Sequence, residues 1–143
     1  MSTPDRGLFV SNDGGVSFAT RGSMPGLMGT IQVNSENSDQ ALGADMEAGV
    51  VRTSDGGRTW ESLGNGFRAT SVAQNPRIPA ELVAIGASEA AVSRDGGSTW
   101  EPLDVPEGTA AATYDSVGEL VVAALVRDEA VTYRLRAGKW YPA

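Results

Sequence analysis

An eight-residue stretch that returns at a fixed interval, short apolar runs parted by turn residues, and the lack of any long helical periodicity together predict an all-β chain. The stretch is Thr53-Ser54-Asp55-Gly56-Gly57-Arg58-Thr59-Trp60, and it returns as Ser93-Arg94-Asp95-Gly96-Gly97-Ser98-Thr99-Trp100. A looser copy, Ser11-Asn12-Asp13-Gly14-Gly15-Val16-Ser17-Phe18, precedes both. The closing aromatics at Phe18, Trp60 and Trp100 are followed by Trp140, at intervals of 42, 40 and 40 residues. Periods of this length belong to stacked supersecondary units, and short strands with periodic glycine and aromatic positions point to the blades of a β-propeller. The predicted architecture is a β-propeller segment of about three and a half four-stranded antiparallel blades. Its divisions are a partial blade at 1–23 and blades at 24–64, 65–105 and 106–143.

Each residue of the repeated stretch has a mechanical reason to be there. Two successive glycines supply positive φ without steric cost, the Asp side chain accepts hydrogen bonds from turn amides, and the Ser or Thr hydroxyl ties the same loop. The closing Trp is expected to start the outgoing strand. It brings a large apolar body and one N–H that needs a partner, which suits a half-buried seat on a neighbouring element. Phe18 keeps the body and loses the donor.

The strands follow in order. Segments 7–10 and 16–19 flank the first stretch as the third and fourth strands of a blade without inner partners. Pro25-Gly26 breaks the chain ahead of 27–33, an inner strand, followed by 40–44, 49–53 and 58–62. The next unit runs 68–73, 81–86, 90–93 and 98–103, and the last 109–114, 119–125, 130–135 and 139–141. Turn signals stand at the joints in Asn34-Ser35-Glu36-Asn37-Ser38, Asn75-Pro76-Arg77-Ile78-Pro79 and Asp115-Ser116-Val117-Gly118. An isolated arc of blades leaves a sheet flank bare at each end, so the expected partners are further propeller blades, from the same polypeptide or by self-association.

Composition narrows the chemistry. At 143 residues the chain is long enough for one domain. Eighteen Gly and seven Pro suit an all-β chain with many turns. Eleven basic against eighteen acidic residues give a net charge of −7, which disfavours nucleic acid and anionic membranes as partners. The sequence has no Cys and no His, so disulfides, thiolate nucleophiles, Ser-His triads and His-ligated metals are excluded. No apolar run approaches a membrane span, and the first residues are neither basic nor apolar in the manner of a signal peptide. No cofactor or metal is expected, because each repeated stretch offers one carboxylate where a calcium loop needs several oxygen ligands.

The pattern S/T-x-D-x-G-x-T-W resembles the Asp-box, or BNR repeat. Its positions here are Ser11, Asp13, Gly15 and Phe18; Thr53, Asp55, Gly57 and Trp60; and Ser93, Asp95, Gly97 and Trp100. Arg136-Ala137-Gly138-Lys139-Trp140 resembles a decayed fourth box. The resemblance implies that the box is the tight turn between the third and fourth strands of a blade. The family spans sialidases, xyloglucan-cleaving glycosidases, sortilin-type receptors and photosystem assembly factors, so the box does not itself imply an activity.

Glycoside cleavage needs two carboxyl groups facing one sugar linkage. The candidate acids off the boxes are Asp45, Glu47 and Asp115, each at a turn where Asp is favoured for bonding its own backbone. Arg68 opens an inner strand and Tyr114 closes one, which makes both weak ligand candidates. Pro76-Arg77-Ile78-Pro79 invites comparison with the F/Y-R-I-P motif of sialidases, but Pro76 replaces its aromatic, and an exposed turn arginine is the better account. Inner strands 27–33, 68–73 and 109–114 contain no Asp or Glu. The expectation is a non-catalytic module for protein or carbohydrate binding or scaffolding, with a fragment of an Asp-box glycoside hydrolase as the alternative.

Overall fold

A computed structural model describes residues 2–3, 7–21, 28–64 and 68–143. The strands are β1 (Ser2–Thr3), β2 (Gly7–Val10), β3 (Ala19–Thr20), β4 (Met28–Val33), β5 (Ala41–Asp45), β6 (Gly49–Thr53), β7 (Glu61–Ser62), β8 (Ser71–Gln74), β9 (Leu82–Ile85), β10 (Ala90–Ser93), β11 (Glu101–Pro102), β12 (Thr109–Tyr114), β13 (Leu120–Val126), β14 (Glu129–Arg136) and β15 (Lys139–Pro142). They form one three-stranded sheet, β1-β2-β3, and three four-stranded meanders, β4 to β7, β8 to β11 and β12 to β15. Every pairing is antiparallel, as short turns between successive strands require.

The sheets share two apolar cores. Leu42, Ala44 and Val50 of the second sheet meet Ala69, Val72, Leu82 and Ala84 of the third, with Leu63 and Trp100 packed alongside. Val83, Ile85, Ala90 and Val92 of the third sheet meet Leu120 and Val122 of the fourth, flanked by Tyr114, Tyr133, Leu135 and Trp140. Strand β9 therefore buries both faces, and all four of its residues are apolar. In β13 burial alternates, with Leu120, Val122 and Ala124 buried and Val121 and Ala123 only half-buried, because this sheet has a neighbour on one side among the described residues.

The inner strands are stitched across sheets by side chains. Val72 N donates to Thr30 Oγ1 at 3.3 Å and Gln74 N to Gln32 Oε1 at 2.9 Å. One sheet further, Ala112 N donates to Ser71 Oγ at 3.3 Å. These bonds satisfy amides that β8 and β12 do not spend within their own sheets, where an unpaired donor is costly.

Several sequence expectations are corrected. The first unit has three strands, because Ser2 and Thr3 pair with Leu8 and Gly7, so its strands do not lack an inner partner. The outgoing strands expected at 16–19, 58–62 and 98–103 shrink to two residues each, Ala19–Thr20, Glu61–Ser62 and Glu101–Pro102. The box carboxylate captures the amide of Ser17, Thr59 or Thr99, so Trp60 and Trp100 end the turn and do not open the strand. The inner strand expected at 68–73 begins at Ser71, since Ala69 N is bonded to Asp45 O and Thr70 N to Ile85 O. The Pro25-Gly26 break and the first residue of the strand expected at 27–33 lie outside the described residues. The expected decayed box is a two-residue hairpin: Arg136 pairs with Lys139, and Ala137 and Gly138 take φ of 49° and 76°, the type I′ combination.

The second and third sheets approach closely at Gly29, where an added Cβ would fall on Thr70 O and within 3.2 Å of Thr70 Cα. Backbone does not yield as a side-chain tip does. Gly29→Ala is therefore expected to lower unfolding stability by about 1–3 kcal/mol, the usual cost of overpacking, as read from urea denaturation.

Candidate functional site

A meander of four strands sorts its turns to two ends. The turns between first and second strands and the boxes lie at one end. The turns between second and third strands and the links from one sheet to the next lie at the other. This sorting decides which candidate residues can meet.

At the box end, the three boxes repeat one hydrogen-bond set. In the second box Thr53 Oγ1 donates to Asp55 Oδ1 at 2.8 Å, Gly57 N donates to Thr53 Oγ1 at 2.9 Å, and Thr59 N donates to Asp55 Oδ1 at 2.9 Å. Thr59 Oγ1 donates to the other carboxylate oxygen. Ser93, Asp95, Gly97 and Thr99 repeat the set, and so do Ser11, Asp13, Gly15 and Ser17, although that copy is the looser one in sequence. The paired glycines have φ of 72° and 90°, 72° and 89°, and 74° and 95°. Hydrogen bonds from the side chain and then the amide of Thr59 hold Asp55 well below the usual carboxylate value of 3.8, at about 2. Asp95 and Asp13 are depressed in the same way, by Thr99 and Ser17.

The closing Trp residues reach across sheets. Trp100 Nε1 donates to Leu63 O and to Gly97 O, both at 3.1 Å, and Trp140 Nε1 donates to Asp104 O at 2.9 Å. Trp60 Nε1 donates within its own box, to Gly57 O at 3.2 Å.

Tyr114 and Asp115 also lie at the box end. Tyr114 OH donates to Glu81 Oε1 at 2.8 Å, and burial, then the Glu81 hydrogen bond, push the phenol above its ordinary range. Asp115 Oδ1 accepts Val117 N at 3.0 Å and Glu119 N at 2.9 Å, while its other oxygen is ion-paired with Arg134. The turn bonds and Arg134 hold its carboxyl below the usual range. Arg77 sits in the exposed turn, with its Nε donating to Ser116 O at 3.0 Å. Between the third and fourth sheets this end opens a cleft of about 550 Å³, whose lining includes Glu81, Glu119, Tyr114, Arg94 and Arg136 beside Leu120 and Leu135.

Asp45 and Arg68 lie at the opposite end. Asp45 is fully buried, and its Oδ1 accepts Glu47 N at 2.7 Å and Ala48 N at 2.8 Å. Its Oδ2 has no hydrogen-bond partner among the described residues. Arg68 is exposed and Glu47 is exposed. Ala69 N donates to Asp45 O at 3.2 Å, so the backbone brings the two candidates close. The structure thus separates Asp45 and Arg68 from Tyr114 and Asp115 by the length of the strands.

Sequence reasoning missed Glu81, Arg134 and Arg136. Glu81 holds the start of a second strand, bonded to the turn residue Asn75 by Asn75 N, as Gln40 is to Asn34 and Glu119 to Asp115. That equivalence was available in the sequence as the residue ending each first turn.

No protein-family model matches this sequence, and no curated protein matches it. Solved structures do. An ancestral GH74 enzyme superposes with a TM-score of 0.73 at 17% identity, over 98% of this chain and 21% of its own. The fold is a segment of a β-propeller. YCF48 from Cyanidioschyzon merolae aligns with a TM-score of 0.63 at 19% identity, over 80% of this chain and 36% of its own. The Niastella koreensis GH74 enzyme aligns at 0.63 and 21%, over 78% of this chain and 20% of its own. The chain therefore spans well under half of each of these proteins. A further YCF48 structure is bound to a D1 peptide. Among the described residues no helix is long and apolar enough to cross a membrane.

The depressed box carboxylates fix a pH dependence. Their folded-state values near 2 lie below the ordinary 3.8, so the stability they contribute is present above about pH 4 and is lost as pH falls through about 2. The melting temperature is expected to drop across that window. Asp55→Ala should lower it at neutral pH and reduce the drop, whereas an unchanged acid limb would contradict the account.

Proposed function

We propose that this chain is a non-catalytic propeller module that binds a protein or a carbohydrate, with the box residues serving the fold. The observation that carries this reading is that the acids are spent on turns, ion pairs and a hydroxyl: Asp115 and Glu119 lie close together but share Arg134, and Glu81 accepts from Tyr114 OH and Asn75 Nδ2. Hydrolysis of a glycosidic bond by the two-carboxylate route needs both groups within about 5–9.5 Å of each other across one linkage. Asp13, Asp55 and Asp95 are engaged by their own turns, and Asp115 is engaged by its turn and Arg134. Asp45 stands at the other end. The cleft between the third and fourth sheets supplies what recognition asks for: apolar side chains, the Tyr114 hydroxyl, the Glu81 and Glu119 carboxylates, and the guanidinium groups of Arg94 and Arg136, which are paired with Glu101 and Glu119. That a YCF48 structure is bound to a D1 peptide supports a peptide as one class of ligand for this module.

One observation favours a second reading, a fragment of a glycoside hydrolase. Asp45 is buried with an oxygen that has no hydrogen-bond partner among the described residues and is free to accept from a substrate hydroxyl, and similar folds occur in GH74 enzymes. In that reading Asp45 is one half of a pair whose other half lies outside the described residues.

Titration of the isotope-labelled chain with xyloglucan oligosaccharides and with a library of short peptides separates the two. The binding reading predicts shifts at Tyr114, Glu81 and Arg94 for at least one ligand, retained in Asp55→Ala, with no cleavage products. Product formation that disappears in Asp45→Asn would overturn it in favour of the hydrolase fragment.

A further inference from the structure

Gln40, Glu81 and Glu119 hold equivalent places in the three four-stranded sheets. Each ends a first turn, its carbonyl accepting the amide of Asn34, Asn75 or Asp115 at 2.9, 2.9 and 3.0 Å. In the second and third sheets the turn also uses the side chain, and asks of it only an acceptor. Asn34 Nδ2 donates to Gln40 Oε1 at 3.0 Å, and Asn75 Nδ2 makes the same bond to Glu81 Oε1 at 3.1 Å. A neutral carboxamide therefore meets the need of the turn, and the charge of Glu81 is surplus to it.

The two carboxylates differ in what answers them. Glu119 is matched by two cations, Arg134 at 2.7 Å and Arg136 at 2.9 Å. Glu81 makes no ion pair among the described residues. Its Oε1 accepts from Tyr114 OH and Asn75 Nδ2, both neutral donors, and its Oε2 has no hydrogen-bond partner among the described residues. Glu81 is half-buried and lines the cleft between the third and fourth sheets. A carboxylate partly withdrawn from water gains from a counter-charge brought to it.

The arginines that line the same cleft are engaged by other acids. Arg136 donates from Nε and Nη2 to Glu119, and Arg94 Nη1 donates to Glu101 Oε2 at 2.7 Å. These charges cancel pair by pair, and the charge of Glu81 remains. Leu120, Leu135 and Tyr114 lie in the lining beside it. A lone negative charge next to apolar surface is the complement of a side chain that carries a cation on a methylene stem. The net charge of −7 adds an attraction for cations from a distance.

We propose that this cleft takes a basic side chain, lysine or arginine, of a protein partner, with its cation on the Glu81 carboxylate and its stem along Leu120 and Leu135. The inference rests on the reading of the chain as a binding module and narrows its ligand from protein or carbohydrate to a basic protein segment. Tyr114 is a positioning residue, because its hydroxyl holds one oxygen of Glu81 and leaves the other to the ligand. Arg94 opposes the ligand as a like charge in the same lining. The preceding box has Ser54 at the corresponding place, so the turn does not require the arginine.

Titration of the isotope-labelled chain with capped tripeptides that carry lysine, norleucine or glutamate between two alanines tests this. The lysine peptide is expected to shift the amides of Glu81, Tyr114 and Leu120 and to bind about tenfold more tightly than the norleucine peptide, which keeps the stem and lacks the charge. Glu81→Gln keeps an acceptor for Tyr114 and Asn75, as Gln40 does for Asn34, and should bring the lysine peptide down to the norleucine value. Arg94→Ser should tighten lysine binding. The norleucine comparison needs no variant, so it decides even if a substitution disturbs folding. Equal binding of the lysine and norleucine peptides, lysine binding unchanged in Glu81→Gln or weakened in Arg94→Ser, or a preference for the glutamate peptide would overturn the proposal. Shifts at these residues with another peptide or a xyloglucan oligosaccharide, and none with the lysine peptide, would overturn it and leave the binding module standing. No shift there with any of these ligands would overturn both.

Discussion

The structure depends on one small arrangement: a carboxylate that gathers a turn around itself. Asp55 accepts from the hydroxyl of Thr53, the amide of Thr59 and the hydroxyl of Thr59, while the hydroxyl of Thr53 in turn receives Gly57 N. With these bonds made, two glycines are held at positive φ, where a side chain would be strained, and the aromatic that follows is aimed out of its own sheet. The aim matters because a four-stranded sheet of this size cannot bury its own faces. In the third sheet the aimed residue is Trp100, which lays its ring on the core shared with the second sheet and bonds the Leu63 carbonyl. A local turn therefore fixes a contact between elements 37 residues apart in the chain.

Two devices hold the sheets at their inner and outer margins. At the outer margin the tryptophan N–H finds a backbone carbonyl in the preceding link, Leu63 or Asp104. At the inner margin a hydroxyl or amide from one inner strand accepts the amide of the next, from Thr30 to Val72, Gln32 to Gln74 and Ser71 to Ala112. Between them lie aliphatic side chains and alanines whose burial supplies the driving force, at about 25 cal/mol per Å² of apolar area. Small residues such as Ala44, Ala69 and Ala84, all with 0% exposure, let the sheets approach. The polar bonds then fix the register of one sheet against another, which apolar contact alone leaves loose.

The fold was legible because its period is written in residues with special backbone or packing demands. Glycine pairs and aromatics located the turns, and the apolar runs between them located β5, β6, β9, β10 and β13 to within a residue or two. The outgoing strands were not legible, since their length is set by how far the Asp carboxylate reaches into the following amides, a three-dimensional matter. Nor was the hairpin at Ala137-Gly138, where loss of the Asp allowed β14 and β15 to run to a two-residue turn. The candidate site was read less well. Asp115 was visible as a turn acid, but its pairing with Arg134 joins residues brought together only by strand register. The Tyr114 to Glu81 bond spans two sheets and left no mark in the sequence beyond the position of each residue at a strand end.

The claim that the box acts by fastening one sheet to the next is tested most directly by a double-mutant cycle between Trp100 and Leu63. Unfolding free energies of Trp100→Ala, Leu63→Ala and the double variant would be measured in urea. If the ring and the leucine are the two halves of one fastener, the losses are not additive, and the coupling falls at about 0.5–3 kcal/mol, as for residues in contact. Losses that add to within about 0.3–0.5 kcal/mol would mean that the ring and the leucine side chain do not pack as one unit, and would contradict the account.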